Sequence, residues 1–115
     1  MKTQADTCAE TKNAAIAFLG RVSARYPLSR AILFGSRARG TFRADSDLDI
    51  AVLLRGPPGQ RLDAALDMAG IAFDVLLETG VLIEALPLWE TEWEHPEQFN
   101  NPALIENIRR EGVWL

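Results

Sequence analysis

The order of apolar and polar residues along the chain predicts alternating helices and strands. Thr7 and Glu10 have the spacing of a capping box, and the residues that follow carry apolar side chains at helical intervals until Pro27. The apolar positions of this first predicted helix are Ala15, Phe18, Leu19 and Val22. Two short apolar runs without helical spacing come next, at residues 32–34 and 50–54, and we interpret both as buried strands.

The second half of the chain continues the alternation. Helical spacing over residues 61–69 predicts a second helix, and the apolar runs 71–77 and 81–88 are interpreted as strands. Pro102 and Gly112 have the positions expected at the two ends of a last short helix. The pattern indicates an α/β fold, and 115 residues is the size of one domain, so we expect residues 1–115 to form a single unit.

Composition narrows the class of protein. With 48% hydrophobic and 24% charged residues, the chain has the composition of an ordinary soluble globular protein. No apolar run approaches the ~20 residues of a membrane span, so we expect a cytoplasmic protein without a membrane role. A net charge of −4 argues against direct nucleic-acid binding. The one cysteine, Cys8, has no neighbouring Cys or His that would indicate a metal cluster.

The residues that could bind a ligand or take part in catalysis are concentrated between the first two predicted strands. Gly35 ends the first strand, and Ser36 opens a short polar segment that Gly40 can terminate as a helix. A glycine at a strand-to-helix junction allows close approach of a ligand, and free N–H groups there attract phosphate. Arginine's planar fork suits phosphate oxygens, so Arg37 and Arg39 are candidates for binding a triphosphate.

Asp47 and Asp49 lie ten residues further on, at the start of the second strand. Alternate strand residues share one face, with Cα atoms roughly 6.5 Å apart, and two carboxylates so placed can hold a divalent cation. Taken singly, the glycine is an ordinary turn and the aspartates are solvated acids. Taken together, they predict a site for metal and phosphate.

This compound motif resembles the signature of the DNA polymerase β-like nucleotidyltransferase superfamily, and most closely its minimal nucleotidyltransferases. The resemblance rests on Gly35-Ser36-Arg37-Ala38-Arg39-Gly40 followed by Asp45-Ser46-Asp47-Leu48-Asp49. It implies a small mixed β-sheet with helices packed on one side. It also implies that Gly35 and Ser36 bind the β and γ phosphates, and that Asp47 and Asp49 bind two Mg²⁺ ions.

Asp74 is the third carboxylate that the resemblance implies. It stands in the apolar run 71–77, where a charge is costly unless it is paired, coordinated or at an edge. From the residues alone, an edge or cap position explains it. The superfamily places a third acid on a neighbouring strand, and on that basis Asp74 is assigned to the metal site and to deprotonation of the acceptor hydroxyl.

The resemblance also implies a function and a partner. Minimal nucleotidyltransferases are typically antitoxins paired with a helical HEPN-domain RNase toxin, which some neutralise by transferring AMP from ATP to a tyrosine. We expect this activity, with the partner completing an otherwise open site. Two alternatives stay open: a nucleotidyltransferase for small hydroxylated molecules, completed by a second subunit or a homodimer, and an antitoxin that only blocks its partner by binding.

Overall fold

The computed structural model describes residues 9–40 and 46–115. The elements in chain order are α1 (Ala9–Ser23), β1 (Leu28–Phe34), α2 (Ser36–Arg39), β2 (Leu48–Leu54), α3 (Arg61–Thr79), β3 (Ile83–Trp89), α4 (Glu90–Glu94), a 3₁₀ turn (Pro96–Gln98), α5 (Pro102–Glu111) and β4 (Val113–Trp114). The first and last predicted helices and the predicted strands at 32–34, 50–54 and 81–88 are all present. Thr7, half of the predicted capping box, and Asp45 lie outside the described residues.

The four strands form one mixed sheet in the order β3-β2-β1-β4. β1 is antiparallel to β2 and to β4, whereas β2 and β3 are parallel and are connected through α3. The alternation of helices and strands therefore produces the predicted α/β fold with a mixed sheet. β3 lies at one edge of this sheet.

Each face of the sheet carries its own apolar core. On one face, β2 contributes Leu48, Ile50, Val52 and Leu54, which pack against Phe18 and Val22 of α1 and against Met68 and Val75 of α3. On the other face, a smaller cluster joins Ile32, Ala51, Leu53 and Leu88 of the sheet to Phe99, Ile105 and Ile108. The two long helices lie on one side, as expected, and α5 adds a cover to the opposite side that the sequence analysis did not include.

The prediction of a strand over residues 71–77 is wrong, because α3 continues without a break from Arg61 to Thr79. The buried residues of α3 keep helical spacing along its whole length: Ala64, Met68, Ile71, Ala72 and Val75. Gly70 does not end the helix, whereas Gly80 does so in the left-handed conformation, with its N–H bonded to the carbonyl of Leu76. In the described part of the chain, no helix is long and apolar enough to cross a lipid bilayer.

Candidate functional site

The candidate site lies where the end of β1 meets the starts of β2 and β3. Phe34, the last residue of β1, is paired across the sheet with Asp49 of β2. Asp49 is paired in turn with Glu84 of β3. Residues paired in register point to the same face of a sheet, so the side chains of Asp49 and Glu84 emerge together beside the end of β1.

At Gly35 the backbone lies in close contact with the carboxylate of Asp49. Its φ of 76° and ψ of −159° place it in a region that side-chain-bearing residues rarely adopt. A Cβ atom added at Gly35 would lie 2.2 Å from Oδ2 of Asp49, which is far inside contact distance. The predicted junction of strand, glycine and short helix is therefore present, and α2 ends at Gly40 in the left-handed conformation as predicted.

Three carboxylates interact at this junction: those of Asp47, Asp49 and Glu84. Burial, and after it the negative charge of Asp47, raises the pKa of Asp49. A hydrogen bond to the Asp47 side chain raises the pKa of Glu84, and burial and the charges of both aspartates raise it further. The like charges therefore oppose one another when all three groups are ionised.

The chemistry of this donor set fits a hard divalent cation. Mg²⁺ prefers oxygen ligands, and a cation between the carboxylates would offset their mutual repulsion, which adds to the effect of burial on the pKa of Asp49 and to the effects of the hydrogen bond and burial on that of Glu84. Within residues 9–40 and 46–115, however, no three His, Cys, Asp or Glu side chains are already arranged as a metal-binding set. Binding a metal would therefore require the carboxylates to turn toward it.

Glu84 is the site residue that the sequence analysis missed, and Asp74 is the one that it misplaced. Asp74 lies on the exposed side of α3, in a shallow hollow with Arg21, Leu77 and Glu78, and not beside the aspartates of β2. The expectation that Asp74 is the third carboxylate is therefore corrected. The available signal for Glu84 was an acid within the predicted strand 81–88, which is as anomalous there as Asp74 was in its apolar run.

Arg37 also has a different role from the one expected. Its side chain is fully buried. Nε donates to the carbonyl of Ser46 at 3.1 Å, and Nη1 donates to Oγ1 of Thr11 at 3.0 Å. The guanidinium therefore connects α1 to Ser46, the residue before Asp47. Because it is buried, a phosphate in solution cannot reach it.

Arg39, in contrast, lines an open cleft beside Gly35. This cleft has a volume of about 160 Å³ and is bounded by α2, the end of β1 and α5, with Phe34, Gly35, Leu104, Asn107, Ile108 and Glu111 as its other lining residues. Nη1 of Arg39 lies 3.3 Å from the Glu111 carboxylate. Ligand pockets usually enclose roughly 300–1,000 Å³, so a nucleotide could place only a part of itself here.

Comparisons with known proteins bear on the family and the fold of the chain. The nucleotidyltransferase domain family matches residues 16–115. None of the curated proteins matches the chain. A putative nucleotidyltransferase from Sulfolobus solfataricus is similar in structure, with 22% identity, a TM-score of 0.51, and coverage of 76% of this chain and 81% of that one.

A second solved structure, described as a toxin-antitoxin with AMP-PNP, is also similar. It has 21% identity and a TM-score of 0.62 over 93% of this chain and 72% of that one. At these identities the two structures show the fold, and the family match covers nearly the whole chain. The protein described here belongs to the nucleotidyltransferase domain family.

Proposed function

We propose that this protein is a metal-dependent nucleotidyltransferase that transfers AMP from ATP to a hydroxyl of a HEPN-domain toxin, and so acts as its antitoxin. The observation that carries the enzymatic part is the contact of Gly35 with the Asp49 carboxylate, in a chain of the nucleotidyltransferase family. Because Gly35 has no side chain, the start of α2 lies directly against the Asp49 carboxylate, so a triphosphate bound there would lie beside the carboxylates.

Each residue of the site has a part in this proposal. Gly35 and Ser36 receive the β and γ phosphates at the start of α2, and Arg39 contributes positive charge in the adjoining cleft. Asp47, Asp49 and Glu84 hold Mg²⁺. Bound Mg²⁺ would neutralise phosphate charge and polarise the α-phosphorus.

Glu84 takes the part that the sequence analysis gave to Asp74. Its carboxylate interacts with Asp47 and Asp49 at the same junction, where it can accept the proton of the attacking hydroxyl. The oxygen of the acceptor forms a bond to the α-phosphorus, the bond from that phosphorus to the bridging oxygen breaks, and pyrophosphate leaves. Positioning and charge neutralisation supply most of the catalysis in such transfers, which suits a short chain.

Two observations support a protein as the acceptor. The cleft beside Gly35 is too small to enclose a whole nucleotide, so the described residues leave the site open to a large partner. The structural relative with AMP-PNP is a toxin-antitoxin. We extend both features of that relative, nucleotide binding and a toxin partner, to this protein as part of the proposal.

The test is the intact mass of the partner. A HEPN-domain toxin, to be sought in the reading frame next to that of this protein, is incubated with the purified protein, ATP and Mg²⁺, and an AMP adduct is expected. Asp49→Asn should abolish the adduct. Glu106→Gln, the same chemical change at an exposed position of α5, should not. The survival of cells that express the toxin should follow the same order.

Other outcomes would contradict parts of the proposal. If wild type gives no adduct and Asp49→Asn still protects cells, the protein neutralises its partner by binding alone. If wild type instead transfers AMP to a small hydroxylated compound such as an aminoglycoside and leaves the toxin unmodified, the acceptor has been misidentified. An adduct that forms equally with EDTA would refute the metal requirement.

A further inference from the structure

The outer face of α3 exposes large apolar side chains to solvent. They recur along the helix at helical spacing and continue onto the segment before β3: Leu62 (69% exposed), Leu66 (64%), Phe73 (56%), Leu77 (71%) and Leu82 (41%). Single exposed apolar residues are common on protein surfaces, but a continuous stripe is typical of an interaction site. We call these five residues the α3 stripe.

A groove runs alongside the α3 stripe, between α3 and the edge strand β3. Small side chains of α3 form its floor: Ala65, Ala69 and Ala72. Phe73 and Leu82 line the same groove, which has a volume of about 460 Å³. A floor of alanines lets a second helix approach α3 closely, and the large side chains on either side can pack around it.

The edge of the sheet beside this groove is poorly suited to strand addition. Pro87 of β3 has no N–H to donate to a new strand, and its carbonyl already accepts Nη1 of Arg61 at 2.8 Å. A partner that used this surface would therefore pack a helix against α3 and would not extend the sheet.

The charges around the α3 stripe identify the kind of helix. Asp63 and Asp74 are exposed on α3 next to the stripe, and Glu84 lines the groove at the β3 side. Arg21 of α1 lies beside Leu77, but it is paired with Glu78. Arg61, the one basic residue of α3, is bonded to the buried carboxylate of Glu92. A second copy of this chain would bring acid against acid, whereas Lys and Arg beside the apolar stripe of a partner helix would complement this border.

We propose that the α3 stripe and its groove are the docking surface for an amphipathic helix of a partner protein, with basic residues flanking the apolar face of that helix. Glu84 belongs both to this groove and to the carboxylates of the site. The carboxylate of Glu84 points with that of Asp49 to the sheet face opposite α3, so a partner seated here lies at the β3 edge, next to the site and not over it. The identification of that partner as the AMP acceptor rests on the proposed function, and the docking surface itself does not.

The test separates docking from chemistry by measuring affinity and AMP transfer independently. The probe is the same HEPN-domain toxin as in the transfer experiment. Leu66→Gln and Phe73→Gln should each weaken its binding by ~10-fold or more, because anchor residues dominate interface affinity. Ile16→Gln is the matched control, since Ile16 is 61% exposed on α1 outside the groove, and it should change affinity by less than ~2-fold.

A charge variant tests the chemistry of the partner. Asp63→Lys should slow association by ~10-fold and reduce the dependence of the rate on salt. The replaced side chains are exposed, so thermal stability and Mg²⁺-dependent ATP binding should match wild type in all four variants.

The outcomes distinguish the two proposals. Binding that is lost in Phe73→Gln and retained in Asp49→Asn supports the docking surface, whether or not wild type transfers AMP. Binding that is unchanged in both Leu66→Gln and Phe73→Gln overturns it, even if transfer is observed. If the isolated wild-type protein dimerises in sedimentation experiments and Phe73→Gln makes it monomeric, the occupant is a second copy and the proposal is wrong.

Discussion

Replacing Gly35 with alanine is expected to disable the site through the position of one carboxylate. The new Cβ would lie 2.2 Å from Oδ2 and 3.2 Å from Cγ of Asp49, so that side chain must move. Gly35 also has φ +76°, where any residue with a Cβ is strained. The substitution therefore combines a backbone penalty with a displaced carboxylate.

Gly40 separates these two effects. It has the same φ, +76°, but no atom lies within 4 Å of the Cβ that alanine would add. Gly40→Ala should lower the free energy of unfolding by the backbone penalty alone, about 1–2 kcal/mol. Gly35→Ala should lower it by more, for two reasons: its ψ of −159° lies in a region that essentially only glycine adopts, and the new Cβ overpacks Asp49 at a usual cost of about 1–3 kcal/mol.

Activity should separate the two variants further. A displacement of ~1 Å in a catalytic group can cost ~100-fold in rate, so Gly35→Ala should lose nucleotidyl transfer while Gly40→Ala retains most of it. Urea unfolding measures the stabilities, and the intact mass of the acceptor measures transfer. Asp49→Ala in the Gly35→Ala background removes the clashing carboxylate and should restore the part of the stability that overpacking had cost, while the backbone penalty remains. Equal stability and activity in Gly35→Ala and Gly40→Ala would refute this account of the contact.

Three further predictions test the other residues of the site. Arg37→Ala should lower the free energy of unfolding by about 3 kcal/mol, because it removes a fully buried and hydrogen-bonded charge. Arg39→Ala removes only a half-exposed ion pair and should change it by less than about 1 kcal/mol. Equal effects of the two substitutions in urea unfolding would contradict the buried role of Arg37. Glu84→Gln should weaken Mg²⁺-dependent ATP binding by ~10-fold or more, while Asp74→Asn leaves it unchanged, and calorimetric titration with Mg²⁺ and with EDTA compares them. Burial first, and Asp47 second, raises the pKa of Asp49, so this group favours the folded state below its ordinary pKa and loses that contribution as pH rises through the folded-state value. In metal-free urea unfolding, wild type should therefore lose stability relative to Asp49→Asn as pH rises above the ordinary pKa of an aspartate, and a relative gain in stability would contradict this prediction.

The local part of the site could be predicted from sequence because its pieces are close together in the chain. Gly35 and the aspartates of β2 flank one antiparallel pair of strands, so their meeting follows from the assignment of two neighbouring apolar runs. The strand pairing brings Gly35 and Asp49 near each other, and the structure adds that the two residues are in close contact. The glycine at the end of the strand already indicated that the backbone at position 35 adopts a conformation that other residues rarely adopt.

The roles of Glu84, Asp74 and Arg37 could not be predicted, because they depend on tertiary contacts that sequence patterns do not contain. Whether Asp74 or Glu84 joins the aspartates depends on where α3 ends, and the apolar run 71–77 is compatible with both a strand and a buried helix. Arg37 resembles any exposed arginine in a polar segment until α1 brings Thr11 against it. Both corrections come from tertiary contacts between residues more than 20 positions apart in the chain.

The division of the core between the two faces of the sheet gives the protein two units of different local stability. The core between the sheet and the long helices is built mainly from residues 14–89, whereas the cluster on the opposite face depends on Phe99, Ile105 and Ile108. Native-state hydrogen exchange should therefore detect an opening that releases α5 while α1 and α3 stay protected. Because α5 forms one wall of the cleft beside Gly35, a ligand in that cleft would slow this opening, and the exchange rates of α5 amides would report its occupancy without any turnover.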